Sequence, residues 1–214
     1  FPLKDIESVG YGAIWHGQKG FNGVAILARG ETPVEVRRGL EGEPEDEHSR
    51  YLEADVKGVR VASIYLPNGN PIDSEKFPYK LRWMDRLIRH ARELLKREEI
   101  VVLGGDFNVC PSDEDVFDVH AMADDALCQV ETRRRWREFQ HLGYVDALRA
   151  LYPTGRHYTF WDYQQMRWPR NEGLRIDHLM LSPQAADLLE AVGIDKDPRK
   201  LERPSDHTPI WARL

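Results

Sequence analysis

Residues 60–103 read as an apolar strand, a helix and a second apolar strand, and that order confines the chain to a layered α/β arrangement. Residues 60–66 are rich in β-branched and aromatic side chains and end at the turn-forming Pro67-Asn68-Gly69. From residue 80 to 97 apolar side chains recur at Leu81, Met84, Leu87, Ile88, Ala91, Leu94 and Leu95, the spacing of one buried helix face. Ile100 to Leu103 then form a buried-strand pattern, broken by Gly104 and Gly105. Upstream, residues 23–28 predict a strand, and residues 51–56 alternate weakly as a hairpin partner for 60–66. Downstream, 111–125 is an aspartate-rich loop and 131–141 an amphipathic helix closed by Gly143. Residues 158–161 and 175–181 predict strands, Ser182-Pro183 opens a helix through Leu189, and a last strand follows Asp206-His207.

With 214 residues, 41% of them hydrophobic, the chain can bury one sizeable core, so a single domain over 1–214 is expected. It contains no run of 18 apolar residues and no basic-then-apolar leader, which predicts a soluble, intracellular, cytoplasmic protein without membrane contact. Cys110 and Cys128 lack metal-ligand or redox spacing and are expected as free thiols. The formal net charge of −6 argues against a broadly basic wrapper of nucleic acid. Much of it comes from residues 41–50, where five of ten are acidic, whereas Arg133-Arg134-Arg135 with Arg137, and the stretch 167–175, are basic. A positive face on a net-negative body and plain solvated surface both remain open for these runs.

Chemistry concentrates at the ends of the apolar runs. Asp106 and Asn108, at i and i+2, leave an extended backbone on the same side, and Ser205-Asp206-His207 feeds the strand that contains Ile210 and Trp211. Breaking a phosphodiester requires a nucleophilic water, neutralisation of the nonbridging oxygens and a proton for the leaving oxygen. Asp106 can activate water or donate that proton, Asn108 can orient the phosphate, and His207 can contact it with its charge set by Asp177. Oxygen donors favour Mg²⁺ or Mn²⁺ over zinc. Tyr65 is either a packed strand tyrosine or a phosphate hydroxyl donor, and Asn68 either a turn former or a phosphate donor. Phe160, Trp161 and Leu174 are either ordinary core or the wall of a pocket for a flipped-out sugar.

Taken together, His16-Gly17-Gln18-Lys19, Tyr65-Leu66-Pro67-Asn68-Gly69, Gly105-Asp106-Phe107-Asn108, Tyr158-Thr159-Phe160-Trp161-Asp162-Tyr163, Leu174-Arg175-Ile176-Asp177 and Ser205-Asp206-His207 resemble the exonuclease III family of apurinic/apyrimidinic endonucleases, within the endonuclease, exonuclease and phosphatase superfamily. The resemblance spans essentially the whole chain. It implies a four-layered α/β sandwich in which two mixed sheets pack face to face between helices. It also implies that roughly the first 40 residues of such an enzyme, with two strands and the principal metal glutamate, are absent, and neither Glu7 nor Glu31 stands in an equivalent motif.

By the same resemblance Tyr65 and Asn68 hold phosphate, Asp106 is general acid or base, Asn108 positions phosphate or water, and Asp177 pairs with His207. Asp106, Asn108 and Asp206 are the metal candidates. Phe160, Trp161, Leu174 and Ile176 surround the abasic sugar, and Arg175 and Arg135 contact the backbone of duplex DNA. The implied activity is Mg²⁺-dependent cleavage 5′ to abasic sites in duplex DNA by a monomer, with 3′-to-5′ exonuclease and 3′ end-cleaning activity beside it. Two alternatives stay open: a catalytically inactive DNA-binding or structural relative or fragment, and a superfamily phosphatase acting on a small phosphorylated substrate.

Overall fold

A computed structural model, describing residues 1–214, arranges the chain as α1 (Leu3–Ser8), β1 (Tyr11–Gly17), β2 (Gly23–Arg29), β3 (Val34–Arg38), β4 (Tyr51–Val56), β5 (Val59–Tyr65), α2 (Lys76–Leu95), β6 (Val101–Asp106), α3 (Val130–His141), β7 (Val145–Asp146), α4 (Ala147–Leu151), β8 (Asp177–Leu181), α5 (Pro183–Ala186), β9 (Ala191–Ile194) and β10 (Ile210–Arg213). The anticipated strand, helix, strand run is its centre. β5 and β6 pair in parallel with α2 as the crossover, and β4 pairs with β5 as an antiparallel hairpin. Both belong to a six-stranded sheet ordered β3-β4-β5-β6-β8-β7.

Alternation along the strands decides what each face buries. Ala62 and Ile64 of β5, with Val101 and Leu103 of β6, pack under Trp83, Met84, Leu87, Ile88, Ala91 and Leu94 of α2 and Trp136 and Phe139 of α3. Met84, Leu87, Ile88, Ala91 and Leu94 belong to the helical stripe read from the sequence, whereas Trp83 joins them in the core and Leu81 and Leu95 of the stripe are only partly buried. Burying each large side chain stabilises the fold by about 1.5–3 kcal/mol. Removing one, as in Leu87→Ala, would cost about 2–5 kcal/mol. α2 begins at Lys76, earlier than its apolar stripe, because Pro78 falls in the first turn, where a missing N–H is tolerated.

The other face of the sheet carries two separate hairpins. β1–β2 packs through Val24 and Ile26 on Leu52 and Ala54, and β9–β10 packs through Val192 on Leu148, Leu181 and Ala185. The expected pair of continuous, face-to-face sheets is therefore corrected to one six-stranded sheet and two two-stranded ones. The two hairpins do not pair with each other, and a cleft of about 380 Å³, flanked by Leu27 and Ile210 and floored by Val61, Ser63, Gly104 and Leu179, lies between them.

Three local expectations also change. Gly104 and Gly105 do not end the strand: β6 runs through them to Asp106. Gly105 has φ +139 and lies so near β5 that a Cβ there would sit 2.1 Å from the Ile64 carbonyl oxygen, so glycine lets the two backbones approach. Residues 158–161 form no strand, since Phe160 makes only isolated bridges to Leu174 and His207. The helix opened by Ser182 is capped by that side chain accepting from the Ala185 N–H, with Pro183 in its first turn, but it stops at Ala186 instead of Leu189.

Candidate active site

Three strand ends converge on the site. Tyr65 stands beside Asp106 in the parallel register of β5 and β6, and Asp177 faces Asp106 in the antiparallel register of β6 and β8. The backbone past Asp106 then turns sharply, with Asn108 at φ +47, a left-handed conformation that asparagine tolerates better than most residues. That turn lets Asn108 donate to Asp106 twice, from its backbone N–H to Oδ1 at 2.8 Å and from Nδ2 to Oδ2 at 3.0 Å. Nδ2 also donates to the Leu66 carbonyl at 2.8 Å, and the Asn68 amide donates to Asn108 Oδ1 at 3.0 Å. Asp106, Asn108 and Asn68 thus form one hydrogen-bonded row reaching from β6 to the turn after β5.

His207 comes in from the other side. Its Nδ1 lies 2.9 and 3.0 Å from the two Asp177 carboxylate oxygens, and its ring packs at 5.0 Å on Phe160. The Thr208 N–H donates to the Thr159 carbonyl and the Trp161 N–H to the Asp206 carbonyl, which fixes the chain on both sides of His207. Thr159 was not singled out from the sequence. Its hydroxyl accepts from the backbone N–H groups of Ile176 and Asp177, so it locks the start of β8, and a small polar residue within an aromatic run was the available signal.

The charges are tuned apart. Burial, with the nearby Asp177 charge adding to it, pushes the Asp106 carboxyl up to about 7. Burial pulls His207 down, but the hydrogen bond and charge of Asp177 outweigh it and hold the imidazole at about 9, so it is cationic at neutral pH. A carboxyl raised into the neutral range therefore stands beside a cationic imidazole.

Both face a cavity of about 390 Å³. Tyr65, Asn68, Asp106, Asn108 and His207 line its polar wall, and Phe160, Leu174 and Ile176 its apolar wall. Phe117, Met122, Asp125 and Leu127 close the side contributed by the aspartate-rich loop, and Arg167 stacks at 4.3 Å on the Phe117 ring.

Four expected site residues lie elsewhere. Trp161 is fully buried behind the wall, edge-on to Trp168 at 4.7 Å. Arg175 is likewise fully buried, with Nε on Asp115 at 2.6 Å and Nη1 on Asp146 at 2.8 Å, so it is a core ion-pair residue and does not reach a DNA backbone. Arg135 is held by a bidentate contact to Asp85 of α2, at 2.7 and 3.1 Å, and joins the two helices. Asp206 does not line the cavity.

The cavity donors suit Mg²⁺ in kind, being hard carboxylate and amide oxygens. They do not make an all-protein cage, since no three His, Cys, Asp or Glu side chains converge to hold an ion. Each Asp106 oxygen accepts a single hydrogen bond, which leaves it a second lone pair for a cation. That is the sparse arrangement of Mg²⁺ sites completed by water and substrate oxygens.

The profile of the endonuclease/exonuclease/phosphatase family matches residues 2–207, and the chain belongs to that family. Among its relatives, exodeoxyribonuclease III of Haemophilus influenzae is 34% identical over 236 aligned positions, covering 100% of this chain and 84% of the relative. A 3′ phosphatase from Neisseria, solved with a product DNA hairpin, superposes with a TM-score of 0.96 at 39% identity, over 100% of this chain and 83% of that one. An AP endonuclease from Archaeoglobus fulgidus superposes with a TM-score of 0.93 at 37% identity, over 99% and 82%.

Proposed function

We propose that the chain is a Mg²⁺-dependent DNA repair phosphodiesterase that cleaves duplex DNA 5′ to abasic sites and also trims or cleans 3′ ends. The observation that carries this reading is that a polar wall with Asp106, Asn108 and His207 meets an apolar wall of Phe160, Leu174 and Ile176 across one cavity. Phosphate chemistry needs the first wall, and a sugar without its base fits the second. The named activities of its relatives, an exodeoxyribonuclease, a 3′ phosphatase and an AP endonuclease, support the same substrate class.

Each side chain then has a task. His207, anchored through Nδ1 by Asp177, directs its other ring nitrogen at a nonbridging phosphate oxygen and offsets the charge that builds there. Asp106 exchanges the proton of the reaction, taken from the attacking water or given to the leaving 3′ oxygen, at a pKa close to the working pH. Asn68 orients phosphate by its remaining amide hydrogen without adding negative charge, and the Tyr65 hydroxyl adds a further donor. Asn108, whose amide hydrogens go to Asp106 and Leu66, positions the phosphate by holding Asp106 and Asn68 in place. Mg²⁺, with Mn²⁺ as its substitute, is the cofactor proposed at Asp106 and Asn108, where it would neutralise phosphate oxygens. No helix is long and apolar enough to cross a membrane, and we place the protein in the cytoplasm as a monomer.

A duplex carrying one abasic-site analogue tests the reading. Incision on its 5′ side in Mg²⁺, abolished by chelation, is the expected result. Hydrolysis of phosphoinositides or small sugar phosphates with no duplex incision would instead make the protein a phosphatase of small substrates. DNA affinity with no turnover would make it a binding protein.

A further inference from the structure

Lys80, like Arg175, is a fully buried cation next to the site, and it is enclosed in the first half of α2. Nothing in its position on the apolar stripe explains it, because an isolated ammonium without partners is costly in a core. Its Nζ instead bonds two backbone carbonyls, Pro67 at 3.0 Å and Asn108 at 2.6 Å. These belong to two different loops, the turn after β5 that carries Asn68 and the turn after β6 that carries Asn108. Both turns hold left-handed backbone next to the lysine: Asn108 has φ +47 and Gly69 φ +93. A Cβ on Gly69 would lie 2.6 Å from the Lys80 stem, so the turn closes directly around that side chain.

From this geometry we infer that Lys80 is a positioning residue, an ammonium clamp that ties the Asn68 turn to the Asn108 turn and so sets the amide row that orients phosphate. The inference rests on the phosphodiesterase reading above. The lysine does not line the cavity, and its ammonium acts through the backbone carbonyls it holds. If the clamp is removed, the Pro67 and Asn108 carbonyls lose their partner, the Asn108 turn loses a restraint on its uncommon backbone, and the contact from Asn68 to Asn108 loosens. Burial opposes the ammonium, lowering its pKa to about 7 against the pull of Asp106 and Asp125, which is the electrostatic cost of keeping a cation there.

The test compares Lys80→Met, which keeps the apolar stem and loses the charge, with Lys80→Arg, which restores a cationic donor, in the full-length protein. Three readouts are needed: kcat and KM on the abasic duplex, the melting temperature, and the side-chain amide NMR signals of Asn68 and Asn108. In Lys80→Met we expect kcat to fall roughly 10–100-fold with KM within about threefold, because misplacement by about 1 Å costs that much. The two amide signals should shift or broaden, and Lys80→Arg should recover most of both effects. A folded Lys80→Met with wild-type kcat and unmoved amide signals would overturn the clamp. So would Met and Arg variants that are equally impaired, since the cation would then not be what matters. If Lys80→Met does not fold, Lys80→Gln, a shorter donor, replaces it, and wild-type kcat and signals in that variant overturn the proposal equally. The amide signals do not depend on the reaction. A wild-type protein that fails to incise DNA therefore refutes the functional reading, while the NMR comparison still decides whether Lys80 sets the two turns.

Discussion

Asp106 is held in the fold at the expense of stability. Its carboxyl titrates at about 7 against an ordinary 3.8, so the folded chain binds a proton that the unfolded chain releases over that interval. Stability from this group is therefore full below about pH 4 and falls as pH rises toward 7. Asp106→Asn removes that titration, and we expect it to raise stability at pH 7.5 in chelator by about 1–3 kcal/mol, less than the full shift because the Asn108 donors lose a charged partner. The same variant should lower kcat at least 10³-fold, about 4 kcal/mol in barrier terms. Thermal melts beside incision rates check both, and a variant less stable than wild type would refute the argument. Asp177 is the converse case, since its carboxylate keeps His207 cationic. Asp177→Asn should bring the His207 pKa down from about 9, visible in imidazole NMR shifts, and reduce kcat roughly 10²-fold through loss of charge and orientation.

Between elements, the buried group Arg175, Asp115, Asp146 and Arg149 ties the loop before α3, the start of α4 and the approach to β8 together. Arg175 holds the Asp115 carboxyl well below the usual carboxylate range, outweighing a burial effect that raises it. Arg175→Met leaves Asp146 without its cation, and breaking a buried pair from one side costs about 3–5 kcal/mol. Urea unfolding should show that loss, whereas the salt dependence of DNA binding by the folded variant should not change; a shallower salt slope would restore Arg175 to the DNA face. This group also marks where the sequence stopped being readable. The helical stripe of α2 and the β4–β5 hairpin rest on contacts whose pattern lies inside one window, and both were legible. The places of Asp106, Asn108 and His207 on one cavity could be anticipated because each sits at the end of an apolar run, whereas Asp177 stands inside the expected strand 175–181 and was only a candidate carboxylate for His207. The partners of Arg175, at positions 115 and 146, and of Arg135, at position 85, are distant in sequence, and a basic residue near a phosphate motif looks the same whether it faces DNA or an aspartate. β1 and β9 were missed for a related reason: both are hairpin strands on the far face of the sheet, half-buried and without clean alternation.

Across the whole molecule these local effects meet in the acid range. His178, fully buried between Arg175 and the Val109 carbonyl, is driven down to about 4 by burial and then by the Arg175 charge. The unfolded chain protonates this histidine near 6.5 and the folded chain does not until about 4, so stability falls as pH drops through that window. The shift corresponds to about 3 kcal/mol. Asp106 works in the opposite direction over nearly the same interval, gaining about 3 kcal/mol as pH falls from 6.5 to 4. Asp115 adds no slope there, since its depressed pKa matters only below the ordinary carboxylate value. In chelator, then, the wild-type unfolding free energy should stay within about 1–2 kcal/mol between pH 6.5 and 4, the active-site carboxyl offsetting the buried histidine. Asp106→Asn should expose the histidine alone and lose about 3 kcal/mol over the same range. Urea titrations of both proteins at several pH values measure this directly. Parallel curves would mean that Asp106 does not carry the raised pKa on which its place in the chemistry depends.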